Sequence, residues 1–237
     1  MQINEELRAV IDRIAVDDAV ISISLIGAAA EEDPLILNRL KDLDLLVVRR
    51  GDEPFTREVV DHNGLPMDVS YMSLQDLERI AQKDNHQWVR ILAKSKGIYK
   101  RTADATPFFQ RVRDMYFDGP DALTAEDINY CRFGLTHLFD DLNARADHEM
   151  EAEFLAGLFV LEALRTYFKI NNAWIPRDKK LLKELFQTDL ILYELVKSTL
   201  KEKKLKKRIG CCRDILHYIL KPYGGPLEHW ERGKYPL

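Results

Sequence analysis

Apolar and polar positions change their rhythm near the middle of this chain. Up to about Arg101, short β-rich runs alternate with helical patterns, whereas from Pro107 onward apolar residues recur almost throughout at helical period. In the first part, "NEELRAVIDRI" predicts an amphipathic helix with Asn4 as its N-cap, and "AVISISLIG" predicts a strand stopped by Gly27. A second strand is expected at "DLDLLVV", and "EVVDHNGLPMDVSYM" places two β-rich segments around Asn63-Gly64, a pair that favours a tight hairpin turn. The third and fourth strands are therefore expected to run antiparallel. After Ser73, a residue suited to capping, "LQDLERIAQ" and "HQWVRILAKS" read as helices, and "GIYKRT" as a short edge strand.

The second part predicts four or more helices. They run over about Pro107–Tyr116, Ala125–Ala144 and Glu149–Ile170, followed by a Lys/Leu-rich stretch from Arg177 to about Leu220 broken near Thr188 and Lys201. "FDGPDALTAED" and "NNAWIPRD", each with a proline and turn formers, connect them. The expected fold class is α+β: a domain over residues 1–105 with a small mixed β-sheet flanked by helices, then an all-α helical bundle over residues 106–237.

Composition narrows the setting. The 237 residues, 46% hydrophobic and 31% charged, are enough to bury a sizeable core. Lys+Arg 35 against Asp+Glu 39 leaves a net charge of -4, which argues against a globally basic nucleic-acid binder. The basic run "KEKKLKKR", Lys201 to Arg208, leaves a tRNA partner open through phosphate contacts, and a solvated helix face accounts for it equally well. Cys131, Cys211 and Cys212 have neither zinc-site nor disulfide-framework spacing, so a reducing cytoplasm is expected. No signal-peptide core and no apolar span of membrane length stands out, and monomer and homodimer both remain open.

The candidate chemistry lies in "RLKDLDLLVVRR". Side chains alternate faces along a strand, so Asp42 and Asp44 are expected to point one way while Leu43 and Leu45 point the other. Two carboxylates held together repel unless a cation lies between them, and Mg²⁺, a hard ion preferring oxygen ligands, is the usual one beside phosphates. Asp68 in "LPMDVSYM" would add a third acid if its strand pairs beside the Asp-x-Asp strand. Taken singly, each aspartate also fits a turn or strand edge. Together they fit a site for two Mg²⁺ ions and in-line displacement at phosphorus.

An apolar strand ending in glycine, Asp-x-Asp on the next strand and a later acid, here "SISLIGAA", "KDLDLLVV" and "PMDV", resemble the nucleotidyltransferases of the DNA polymerase β superfamily. The resemblance spans roughly Val20 to Tyr71. It implies that Asp42 and Asp44 hold the metals bridging a triphosphate, and that Asp68 binds the catalytic metal and helps to activate an acceptor hydroxyl. Gly27 and Ala28 would form the phosphate turn, although the family usually has a serine where this chain has Ala28. The implied reaction moves a nucleoside monophosphate, AMP first among them, from ATP or another NTP to a hydroxyl. Small family members that adenylylate aminoglycoside or lincosamide antibiotics carry a C-terminal helix bundle that binds the acceptor, and the likeness to that bundle is architectural only.

Within the helical part, Asp140, Asp141 and Glu162 are candidate acceptor-binding acids on otherwise apolar helices. Lys179 and Lys180 sit at a predicted helix start, where a cation opposes the dipole, and are candidate nucleotide contacts. Two rival readings stand beside the transferase. One is a catalytically silent module of the same fold that binds a nucleotide or a partner protein, which the absent serine favours. The other rests on Arg132 and His137, whose spacing resembles the Arg-x4-His motif of HEPN-type ribonucleases, although five residues subtend about 140° around a helix and so separate the two side chains.

Overall fold

The computed structural model describes residues 5–31, 42–62 and 64–229. The chain divides into two compact units, Met1–Pro120 and Asp121–Leu237. The first is built on five strands, β1 (Val20–Ile26), β2 (Leu43–Arg49), β3 (Thr56–His62), β4 (Leu65–Ser73) and β5 (Lys96–Lys100), in the order β3-β4-β2-β1-β5. β2 pairs parallel with β4 and antiparallel with β1, so the sheet is mixed, and β5 pairs antiparallel with β1 at one edge. β3 and β4 form the expected antiparallel hairpin, with His62 opposite Leu65. Gly64 has φ +83 and donates its N–H to Asp61 Oδ1 at 2.8 Å. Asn63, like the expected cap Asn4, lies outside the described residues.

Alternation along the strands sorts their side chains to two faces. On one face Ile23, Leu25, Leu43, Leu45, Val47, Met67 and Val69 form a continuous apolar cluster. Helix α1 (Glu5–Ile14) lies on it, contributing Leu7, Val10, Ile11 and Ile14, the i, i+3, i+4, i+7 stripe of an amphipathic helix. The other face carries Ser22 and Ser24 from β1, Asp44, Leu46 and Val48 from β2, and Asp68, Ser70 and Met72 from β4, placed there by the same alternation and register. After α2 (Ala28–Glu31), helices α3 (Leu74–Ile80) and α4 (His86–Ala93) follow the sheet strands, each opened by a side-chain cap, Ser73 and Asn85.

Helix α5 (Thr106–Asp118) falls in the first unit, so the boundary comes after Pro120 and not at residue 105 as the change of periodicity suggested. Its period was legible, but periodicity does not say which partner a helix packs against. Here α5 packs against α4 and buries Phe108, Phe109 and Val112.

The second unit is all-helical. It comprises α6 (Ala125–Ala144), α7 (Glu149–Ile170), a 3-10 turn at Asp178–Lys180, α8 (Leu181–Thr188), α9 (Leu190–Lys201) and α10 (Leu205–Leu220), with breaks where the sequence placed them. Its core joins Leu135, Phe139 and Leu142 of α6 to Ala156, Phe159 and Ala163 of α7 and Cys212, Ile215 and Ile219 of α10. The rings of Phe139 and Phe159 meet edge-on at 5.8 Å. Thr124 and Asp127 form a reciprocal capping box at the start of α6. Among the described residues no helix is long and apolar enough to cross a membrane.

Candidate functional site

The parallel pairing of β2 with β4 sets Asp44 directly beside Asp68. Neighbouring strands lie about 4.8 Å apart, and residues in register project to the same face, so the backbone itself holds the two carboxylates side by side. β1 brings Ile26 opposite Asp44, and the next residue, Gly27, turns the chain with φ +65. That turn is tied to the acid: a Cβ on Gly27 would stand 2.2 Å from Asp44 Oδ2. Glycine is required there twice over, for its backbone conformation and for the room it leaves to the carboxylate. Ala28, exposed at the start of α2, offers a methyl group and its backbone but no hydroxyl.

Asp42 stands one residue outside β2 and is exposed. Register therefore aligns Asp44 with Asp68 and does not extend to Asp42. A residue that sequence reasoning missed completes the arrangement. Arg57, on β3, grips Asp68 with two donors, Nε to Oδ1 at 2.6 Å and Nη2 to Oδ2. Its guanidinium pKa is raised, first by that hydrogen bond and by the charge of Asp68, with Asp44 adding to the effect. Arg57 was within reach of sequence reasoning: a two-residue turn pairs residues whose numbers sum to a constant, which sets Val59 opposite Asp68 and Arg57 diagonal to it on the same face.

Among the described residues no three His, Cys, Asp or Glu side chains are grouped so as to hold a metal ion. A hard divalent ion needs fewer when a substrate is present, because one or two carboxylates combine with substrate phosphates and water to complete its sphere. The Asp44/Asp68 pair fits that smaller demand. Both are oxygen donors, and Asp68 already holds a cation in the form of Arg57.

The candidates in the helical unit have other surroundings. Asp141 accepts from Arg145 Nη1 at 2.8 Å and lies 3.6 Å from His137 Nδ1. Its pKa is lowered, chiefly by the Arg145 hydrogen bond. Asp140 is exposed, and Glu162 accepts from Arg165 Nη1 at 2.6 Å, with Arg165 also gripping Asp178. Lys179 and Lys180 lie in the 3-10 turn that leads directly into α8, with Lys180 as the N-cap of that helix, so the two cations stand at a helix start as the sequence suggested. Arg132 donates Nε to Gly225 O at 2.8 Å, Nη2 to Gly224 O at 3.2 Å and Nη1 to Asn129 Oδ1 at 2.8 Å, while Leu227 N–H donates to Thr136 Oγ1 at 3.1 Å. Arg132 thus fastens the segment after α10 onto α6. His137 stands exposed one turn from Asp141.

No protein-family model matches the sequence, and no curated protein matches it either. Among solved structures, a nucleotidyltransferase-like protein from Exiguobacterium sibiricum 255-15 is similar in fold, with a TM-score of 0.52 and 16% identity, over 92% of this chain and 74% of that one. The α+β architecture, a mixed five-stranded sheet followed by a helical region, is a nucleotidyltransferase-like fold.

Proposed function

We propose that this chain is a metal-dependent nucleotidyltransferase that moves a nucleoside monophosphate, AMP before others, from a Mg-NTP to a hydroxyl of an acceptor, with an aminoglycoside- or lincosamide-like small molecule as the model for its class. The reading is carried by one observation: Asp44 and Asp68 share a register on adjacent strands beside the positive-φ turn at Gly27. The likeness of the fold to a nucleotidyltransferase-like protein supports it.

The acceptor oxygen attacks the α-phosphorus, the bond from that phosphorus to the pyrophosphate oxygen breaks, and pyrophosphate leaves with the electron pair. Asp44 and Asp68, with Asp42 at the strand mouth, would hold two Mg²⁺ ions, whose chemistry when bound is to offset the charge of the triphosphate and of the developing oxyanion. Asp68 draws the acceptor's proton toward its carboxylate, and Arg57 must yield part of its grip for that oxygen to serve. The Gly27-Ala28 turn supplies backbone N–H groups to phosphate, without a serine hydroxyl.

A second reading is favoured by two observations, Ala28 at the phosphate turn and the Arg57 clamp on Asp68. In it the fold binds nucleotide, or a partner protein, without transferring anything, and Arg57 permanently replaces a metal ion. Titration of Mg-ATP and of the other NTPs into wild-type protein, Asp44→Ala and Arg57→Gln separates the two. The transferase reading expects metal-dependent binding that Asp44→Ala removes and Arg57→Gln tightens toward Mg²⁺. Binding that ignores magnesium in all three proteins would leave only the silent module.

A further inference from the structure

The polar face of the sheet carries a pocket on the β1–β5 side, and the Asp44/Asp68 pair takes no part in its lining. It encloses about 140 Å³, and its floor is Ser22 and Ser24 of β1, with the N-terminus of α5 above them. Ser22 is only 8% exposed, and its Oγ has no hydrogen-bond partner. An orphaned hydroxyl in a buried strand costs free energy, and native structures rarely leave one without a role. A single ordered water needs roughly 10–15 Å³ in this measure of volume, so the space is many times larger than one water would explain.

The remaining lining indicates the sign of what fits. α5 is 13 residues long and opens at Ala105 without a side-chain cap, as α7, α8 and α10 also do. The Thr106 N–H is already donated to Ala103 O at 2.9 Å and Pro107 has no N–H, so this helix start offers the positive end of the dipole and not a row of free donors. Thr106 adds a hydroxyl at that end, Lys100 and Arg113 add two cations, and no Asp or Glu lines the pocket. Phe109 forms an apolar wall. Hydroxyl donors, a helix N-terminus and two cations without a carboxylate are the chemistry of an oxyanion site.

We propose that this pocket binds a small oxyanion of the phosphate class, with the Ser22 hydroxyl as its buried donor and Arg113 as its outer charge. The site goes beyond the transferase reading and does not depend on it. Inorganic phosphate and the phosphate monoesters of small polyols share this chemistry.

The test is calorimetric titration of inorganic phosphate and, separately, glycerol 3-phosphate into the full chain in EDTA, with wild type, Ser22→Ala, Arg113→Gln and Asp44→Ala compared. Wild type should take up one equivalent. Ser22→Ala and Arg113→Gln should each weaken binding about tenfold, the scale of one hydrogen bond to a charged group. Asp44→Ala should bind like wild type. Arg113 is exposed, so Arg113→Gln keeps the test valid even if a change at Ser22 disturbs the strand. Tighter binding of the monoester would assign the site to an organic phosphate, and equal or tighter binding of phosphate to the free ion. Absence of saturable binding by both ligands overturns the proposal, as does binding indifferent to Ser22 and Arg113 or abolished by Asp44→Ala.

Discussion

The sheet and the helical unit use carboxylates in opposite ways. On the sheet, Asp44 and Asp68 are placed side by side by strand register, and like charges are set together by a backbone that gives them no alternative. On the helices, Asp141 and Glu162 each have an arginine one turn away, Arg145 at i+4 and Arg165 at i+3, so each acid is matched by its own helix. A matched pair explains itself as surface chemistry worth a few tenths of a kcal/mol. An imposed like-charge pair calls for a cation from elsewhere, and Arg57 reaching over from β3 supplies one to Asp68. The difference separates acids set together by strand register from acids matched by their own helix.

The largest expected effect comes from a pair of substitutions at consecutive residues. Asp44→Ala should weaken Mg-NTP binding roughly a hundredfold, the scale of a lost contact to a charged group, with little change in the denaturation midpoint. Leu45→Ala, one position along and fully buried on the α1 side, should cost about 3 kcal/mol of stability by the loss of core packing. Chemical denaturation and nucleotide titration on both variants check this together. If Asp44→Ala unfolds the protein as readily as Leu45→Ala does, the acid belongs to the core and the contrast between the faces fails.

Next comes Gly27→Ala. The left-handed backbone alone costs an L-residue about 1–2 kcal/mol, and the new methyl would drive into Asp44 Oδ2. Loss of nucleotide binding comparable with Asp44→Ala, at moderate cost in stability, is the expected outcome. Wild-type affinity in this variant would show that the turn and the acid do not work together.

Much of this was legible in the sequence. The strands, the hairpin and the breaks near Thr188 and Lys201 follow from periodicity and turn chemistry, which are local. Asp44 and Asp68 were legible because alternation fixes a face. Asp42 precedes β2, and alternation fixes a face only inside a strand; the ladder between β2 and β4 begins at Leu43 opposite Met67. The Ile-Ser-Ile-Ser run of β1 looked like an ordinary strand. That its serines are buried and share a pocket with Thr106, Phe109 and Arg113 of α5 brings together residues some eighty positions apart, which no local pattern encodes.

A smaller effect is expected at the capping box of α6. Thr124→Ala should cost about 1 kcal/mol, read from the denaturation midpoint, and leave nucleotide binding untouched. Asp127, whose pKa is lowered chiefly by its bond from the Thr124 hydroxyl, contributes stability present above the ordinary aspartate value of 3.8 and lost as pH falls through its depressed value. The acid limb of the stability profile should therefore flatten in Thr124→Ala.

The smallest effect tests the matched acids directly. The Asp141 pKa is lowered by Arg145, first through the hydrogen bond and then through charge, so in Arg145→Gln it should rise toward 3.8 in a carboxyl NMR titration. The sign follows from the direction of the shift: a depressed carboxylate stabilises the fold above its unfolded pKa and loses that contribution as pH falls through the folded one, so any loss in the variant appears near neutrality and vanishes in acid. At pH 7 the change should be about 0.3 kcal/mol and should shrink with added salt, because the pair is solvent-facing. A loss several times larger, insensitive to salt, would mean that Asp141 is held as firmly as Asp68. The helical unit would then carry an imposed acid of its own, and the division of labour between the two regions would have to be redrawn.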